Sequence, residues 1–479
     1  MKKRELLVRA DRSLEILWPA RVVALALLLV VVLSAAIAPR AALGQSTETP
    51  PAAAPPLSPA AAAQTGVIAY VEDTNRDEIR LINPDGSNDR RLWGHNVADA
   101  SDVYDISTLA WRPNAAELAF ASSHESWCSI NGRDIFTVSA DGRNYRRVTE
   151  APACAALSAF AQGTVRVPVE NDNIFGESFT GFVYFQGAPG LQFVSLPPGG
   201  STVVTFNNVA DFGDGELQVG AMIVGFSRDV SIGTAVDVKA NATVTSGPMS
   251  LYVPDVEWGV HSPTWRSDGS AIGYVLNFNS VRAISPNPMP LDFGTELQTD
   301  QSAMPDFVDL LTWGPASRAN QLLYRGNISF DAQGIYLMPQ GSATAGQRLV
   351  TYETYQFVRG LAWLPDGSGF VYSVEELDDS FTATRANVFV YRFSNGQPVR
   401  LTNFTNQFAG QLSVSPDGTQ VVFERAAAQE AGAPTDLWLV GINGTGVRRL
   451  VEDGGAPAWS PGAPATPRRA YLPVTLRPR

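Results

Sequence analysis

"LAWLPDGSGFVYS", residues 361–373, reads as a β-hairpin: a strand ending in Trp363, a tight Pro365-Asp366-Gly367 turn, and a return strand through Phe370, Val371 and Tyr372. The same phrase returns as "PTWRSDGSAIGYV" around Trp265, "LAWRPNAAELAFA" around Trp111 and "LSVSPDGTQVVFE" with Val414 in the Trp place. Looser copies are "LTWGPASRANQLLY" at Trp313 and a terminal "PAWSPG" at Trp459. Such self-similarity decides architecture, because each copy is a unit that cannot bury its apolar face alone.

A second hairpin alternates with the first. It reads "EIRLINPDGSNDRRLW" from Glu78, "DIFTVSADGRNYRRVT" from Asp134, "GIYLMPQGSATAGQRLV" from Gly334, "NVFVYRFSNGQPVRLT" from Asn387 and "DLWLVGINGTGVRRLV" from Asp436, with a degenerate copy near Ser280. One repeat is therefore four antiparallel strands, a to d, with the Trp on strand a. The intervals between positions 265, 313, 363, 414 and 459 are 48, 50, 51 and 45 residues, the length of a propeller blade. The chain enters at "GVIAYVED", which matches strand b, and its last motif is a lone strand a. The C-terminal strand should complete the N-terminal blade and remove the open edges. In this reading the Trp side chains are wedges between blades, and the Asp-Gly pairs supply positive φ for turns.

These phrases resemble the TolB-type propeller repeat. "SPDGTQVVF" (415–423) and "LPDGSGFVY" (364–372) match its first half, and "DGRNYRRVT" and "NGQPVRLT" its second. The resemblance spans roughly residues 66–462 apart from one insertion and implies a six-bladed fold related to WD-type propellers. It is specific for fold rather than activity. TolB-type proteins carry an α/β domain before the propeller, where this sequence has an export segment and a tether.

From Trp111 to Trp265 the chain runs 154 residues where about 50 would suffice for one repeat. The surplus contains "TVRVPVEN", "TGFVYFQG" and "LQFVSLPPGGSTVVTFNNV", short alternating strands broken by Gly, Pro and Asn. An immunoglobulin-like β-sandwich fits. The expected fold class is all-β: a six-bladed β-propeller closed by N- and C-terminal strands, at 66–150 and 258–462, with an inserted β-sandwich at 151–257. A basic tail occupies 463–479.

Residues 1–44 are set apart by composition. A basic flank is followed by Val22–Ala38, 17 residues without a charge, and Ala42-Leu43-Gly44 offers a small-x-small cleavage site. A cleaved signal peptide and a retained N-terminal membrane anchor both remain open; either delivers the rest outside the cytoplasm, to the periplasm or cell surface. Residues 45–65 form a Pro/Ala-rich linker. The formal charge of −12 becomes −16 without the seven basic and three acidic residues of 1–44, which argues against nucleic acid as a partner. Cys128 and Cys154, the two cysteines of the chain, are expected to form a disulfide outside the cytoplasm at the root of the insertion.

Blade topology sorts the loops. Connections a–b and c–d are short and share one face; b–c and d–a connections vary in length and share the other. Asp102, Tyr104, His124, Trp127, Glu375, Asp378 and Phe381 fall in the variable loops and are the candidate binding residues. No G-x-S-x-G occurs, which argues against a serine peptidase. The pattern also gives no metal site and no cofactor. The expectation is a non-catalytic module binding an envelope protein or cell-surface glycan. The alternative is a glycosidase or lyase using loop carboxylates among Asp102, Asp105, Glu375, Glu376, Asp378 and Asp379.

Overall fold

Strands that bury both faces carry apolar residues at consecutive positions, and strand b of each repeat does so. In a computed structural model these residues face two different neighbours. The structure describes residues 66–462 except 73–77, 96–105, 126–127, 131–132, 173–175, 177, 214–215, 218, 224–229, 233–234, 252–258, 299–306, 328–332, 353–355, 379, 381 and 429–433. All that follows belongs to the compact unit Ala63–Ala427 with Pro434–Arg479.

The repeats fold as six four-stranded antiparallel sheets. Strand a of blades 2 to 6 is Ile106–Trp111, Val260–Trp265, Phe307–Trp313, Gln356–Trp363 and Phe408–Val414. Blade 1 takes its strand a from the far end of the sequence: Gly454–Trp459 pairs antiparallel with Ile68–Glu72, bringing Ile68 opposite Trp459. Blades 5 and 6 are additionally joined by one parallel bridge, Ala386 to Phe408.

Because side chains alternate across a strand, each blade feeds two seams. Leu118 and Phe120 of blade 2 pack toward blade 1, with Val71, Ile79 and Ala458. Their neighbours Ala119 and Ala121 pack toward blade 3, with Trp265 and Tyr274. Apolar clusters of the same kind fill the seams between blades 3 and 4, 4 and 5, and 5 and 6. The last seam, between blades 6 and 1, joins Val422, Leu437 and Leu439 to Ile68, Tyr70 and Trp459. The innermost strands touch in the cyclic order of the blades. The molecule is a closed six-bladed β-propeller.

The insertion folds as a second all-β body. One sheet aligns Gln192–Leu196, Phe179–Phe185, Val219–Ile223 and Val230–Ile232. The other places Gln162–Glu170 between Ser201–Ala210, antiparallel, and Thr243–Thr245 with Met249–Ser250, parallel. Val165, Val167, Val169, Val183, Phe185 and Phe206 form the core between them, all under 2% exposed. Among the described residues, contacts at Leu291, Cys128 and Ile130 seat this sandwich on the propeller. Cys128 packs with Leu157 and Ala210, and Ile130 with Tyr184, whose hydroxyl donates to the Ile130 carbonyl at 3.2 Å.

Candidate functional site

The centre of the ring is built from the repeated Trp. In three blades its indole N–H reaches the preceding blade: Trp111 Nε1 donates to Ala458 O at 3.1 Å, Trp265 Nε1 to Ala110 O at 3.1 Å and Trp363 Nε1 to Thr312 O at 3.2 Å, whereas Trp313 Nε1 donates to Ala319 O of its own blade at 2.7 Å. Two guanidiniums add to this ladder from the opposite direction, Arg112 over the Trp265 ring at 5.0 Å and Arg266 over Trp313 at 5.9 Å. Between the six strands lies a cavity of about 500 Å³. Trp, Pro, Leu, Ala, Ser and Thr residues line it, Pro113, Pro315, Pro365, Pro416 and Pro461 among them.

Every strand a breaks register against its strand b by one bulge. Thr108, Ser262, Leu310 and Ala456 sit there at φ between 46° and 51°. A bulge frees backbone groups, and the second layer collects them. In blades 4, 5 and 6 the residue after the strand b aromatic is Arg325, Ser373 and Glu424. Arg325 Nη1 donates to Val358 O at 2.7 Å, and Ser373 Oγ donates to Gly410 O at 2.7 Å. Glu424 accepts from Gln411 N at 2.9 Å and from Ala456 N in the next blade. Arg325 is also paired with Asp309, whose carboxyl burial pushes upward against the pull of that arginine.

The structure distributes the sequence candidates unevenly. Asp102, Tyr104, Trp127 and Phe381, with Asp105 and Asp379, lie outside the described residues. His124 is not loop surface: it is 5% exposed, its Nδ1 2.8 Å from Ser122 Oγ and its Nε2 2.7 Å from Tyr145 Oη, with its ring against Trp93 and His95. Burial, then the charges of His95 and Arg147, push its pKa down to about 3. Glu375 is 2% exposed and bound to Arg359, because the long strand b runs past it and turns its carboxylate inward. Glu376 pairs with Arg385 and Arg400. Asp378 is exposed but closes its own hairpin, accepting from Ser380 N at 2.9 Å and Thr382 N at 3.0 Å. Hydrogen bonds from the Ser380 hydroxyl and the Thr382 amide hold its carboxyl below the usual range.

The expected disulfide is present. Cys128 and Cys154, 6.0 Å apart at Cα, join the b–c loop of blade 2 to the segment entering the insertion. A buried polar cluster surrounds the bond. Arg147 lies against both sulfurs, and Glu125 accepts from Cys154 N and from Tyr145 Oη, both at 3.0 Å. Glu150, 1% exposed, accepts from Ser129 Oγ at 2.7 Å and Ile130 N at 3.1 Å. Desolvation, then the nearby Asp134, pushes its pKa up to about 8.

No family model matches the chain. Over 117 residues it is 32% identical to the Tol-Pal system protein TolB of Anaeromyxobacter sp. (strain K), and equally to that of Anaeromyxobacter dehalogenans (strain 2CP-1 / ATCC BAA-258). Its repeats are TolB-like. The match covers 24% of this chain and 24% of each relative, so the chain spans about a quarter of the length of these relatives. Solved structures to which the chain shows some similarity include the mitotic checkpoint complex, at 12% identity and a TM-score of 0.34, over 84% of this chain and 98% of that one. Oligogalacturonate lyase in complex with manganese follows, at 11% and 0.34 over 81% and 84%. The Cps50 (Swd1) β-propeller domain of Myceliophteria thermophila matches at 11% and 0.34 over 79% and 96%. For the TolB-like blades, strand pairing and the six seams carry the fold assignment. Among the described residues no helix is long and apolar enough to cross a membrane.

Proposed function

We propose that this protein is an exported, non-catalytic binding module of the cell envelope, in which the TolB-like ring presents its central cavity and variable loops to a partner protein. The observation that carries this reading is the lining of the cavity: aromatic, aliphatic, proline and hydroxyl residues together, a surface chemistry suited to an extended polypeptide. The curated relatives, named for the Tol-Pal system, support an envelope location and a protein partner. Glu375, Glu376 and Asp378, the described carboxylates that the alternative glycosidase or lyase would use, are committed to ion pairs and a turn.

The rim offers a test that leaves the core intact. Ala316 is exposed at the cavity mouth, so Ala316→Arg places a long cation there without disturbing packing. Residues 66–462 and the variant are cross-linked in envelope extract. The partner captured by the parent should drop at least about tenfold in the variant, the ratio that 1.4 kcal/mol of binding represents. Equal capture would move the site away from the cavity, and release of shortened glycans by the purified protein would overturn the non-catalytic reading.

A further inference from the structure

Partner binding makes no use of the chemistry at the junction of propeller and insertion, where the two sulfurs of one disulfide have unlike surroundings. Cys128 is fully buried, whereas Cys154 is partly exposed at the start of a short 3-10 turn, Cys154–Ala159. The buried Arg147 guanidinium, 2% exposed, favours one of them: Nη1 is 3.1 Å from Cys128 Sγ and 3.7 Å from Cys154 Sγ. Its Nη2 is anchored on Pro152 O at 2.6 Å, so the cation cannot swing away. The Glu125 carboxylate lies 3.7 Å from Nη1 and is held by Cys154 N and Tyr145 Oη, leaving the guanidinium face toward Cys128 to the sulfur.

We propose that Cys128–Cys154 is a thiol–disulfide exchange site with a fixed polarity, attacked by an external thiol at Cys154 and releasing Cys128. In the first step a thiolate forms a bond to Cys154 Sγ as the Cys128–Cys154 bond breaks, and the electron pair leaves on Cys128. Exchange favours the better-stabilised leaving sulfur, and a neighbouring guanidinium stabilises a thiolate. A second thiol then displaces Cys154, so the protein takes up two electrons and the reagent leaves as its disulfide. The reagent class is a small thiol or the dithiol of a partner protein. The result is release of the blade 2 loop from Leu157 and Ala210, the apolar contact beside the bond.

The first experiment uses the oxidised, unaltered chain. It is exposed briefly to glutathione, quenched with an alkylating reagent, and the cysteine peptides are mapped. Glutathione should be found on Cys154, and the alkyl group on Cys128, in at least about tenfold excess over the reverse, as expected where access and leaving group both favour one sulfur. Equal labelling, glutathione first on Cys128, or a native bond that does not exchange at all would overturn the proposal. Two variants test the role of Arg147 in opposite directions. Arg147→Met should slow the first step by about tenfold, and Glu125→Gln, which removes the competing charge, should speed it by several-fold. The second guards against misfolding as an explanation of the first, since a folding defect would not preserve Cys154 selectivity while changing rate in both directions. Unchanged rates in both would remove Arg147 from the scheme and overturn the stated polarity.

Discussion

The propeller and its insertion are both all-β, yet they are held together by different means. The propeller buries both faces of every blade at six nearly equivalent seams, each with a large aromatic from strand b. The insertion has one two-sheet core of Val, Phe and Leu, used once, and small contacts to the ring. Repetition makes the ring's stability a shared property of neighbouring blades, whereas the insertion stands or falls on one core.

Large-to-small substitutions test this difference most severely. Trp459→Ala, in the closing strand at the seam of blades 6 and 1, should cost about 3–5 kcal/mol, as should Phe185→Ala in the insertion core. In calorimetry the first should lower the propeller transition and the second the insertion transition. A single transition lowered alike by both would make the two regions one cooperative unit and abolish the comparison.

The junction between the regions should respond to pH. Glu150 is neutral in the folded state up to about pH 8, with burial as the main cause, and ionises near 4.3 when unfolded. A raised folded pKa means that its contribution is fully present below about pH 4.3 and lost as pH rises through 8. Glu150→Gln keeps the acceptor for Ile130 N and cannot ionise. Its melting temperature should fall several degrees less than the parent's between pH 5 and pH 9. Parallel pH profiles would show that Glu150 is ionised in the folded protein.

The smallest expected effects concern the spokes between blades. Glu424→Gln loses one acceptor of the pair serving Gln411 N and Ala456 N, at a cost of about 1–3 kcal/mol in denaturant unfolding. Ser373→Ala, which strips one donor from Gly410 O, should cost about 1 kcal/mol. Equal costs would mean that the shared carboxylate holds two blades no better than a single hydroxyl.

These spokes also mark where the sequence ceased to be legible. Strand phrases, the Trp wedge and the closure of the ring are periodic, so each copy corroborates the others. The bulges are invisible to alternation, because Thr108, Ser262, Leu310 and Ala456 have no side-chain chemistry common to all four and are related by backbone angle. The spokes did leave a signal: the residue after the strand b aromatic is Val71, Ala121 or Val275 in three blades, and Arg325, Ser373 or Glu424 in the other three. A polar residue at an otherwise apolar, buried position implies a partner. His124 was misread as loop surface because its cover comes from Trp93 and Tyr145, on other strands and turns of blades 1 and 2, a single-use contact that no repeat announces.

Closure between Ile68–Glu72 and Gly454–Trp459 has a consequence for biogenesis. Blade 1 lacks its innermost strand until some 380 residues later in the chain, so the first-made blade is the last to be finished. Contacts so distant in sequence slow folding. During synthesis the leading portion emerges as an incomplete sheet whose bare edge must be shielded until the final strand arrives. Such a ring acquires its resistance to unfolding in one late event, when its last strand docks beside its first.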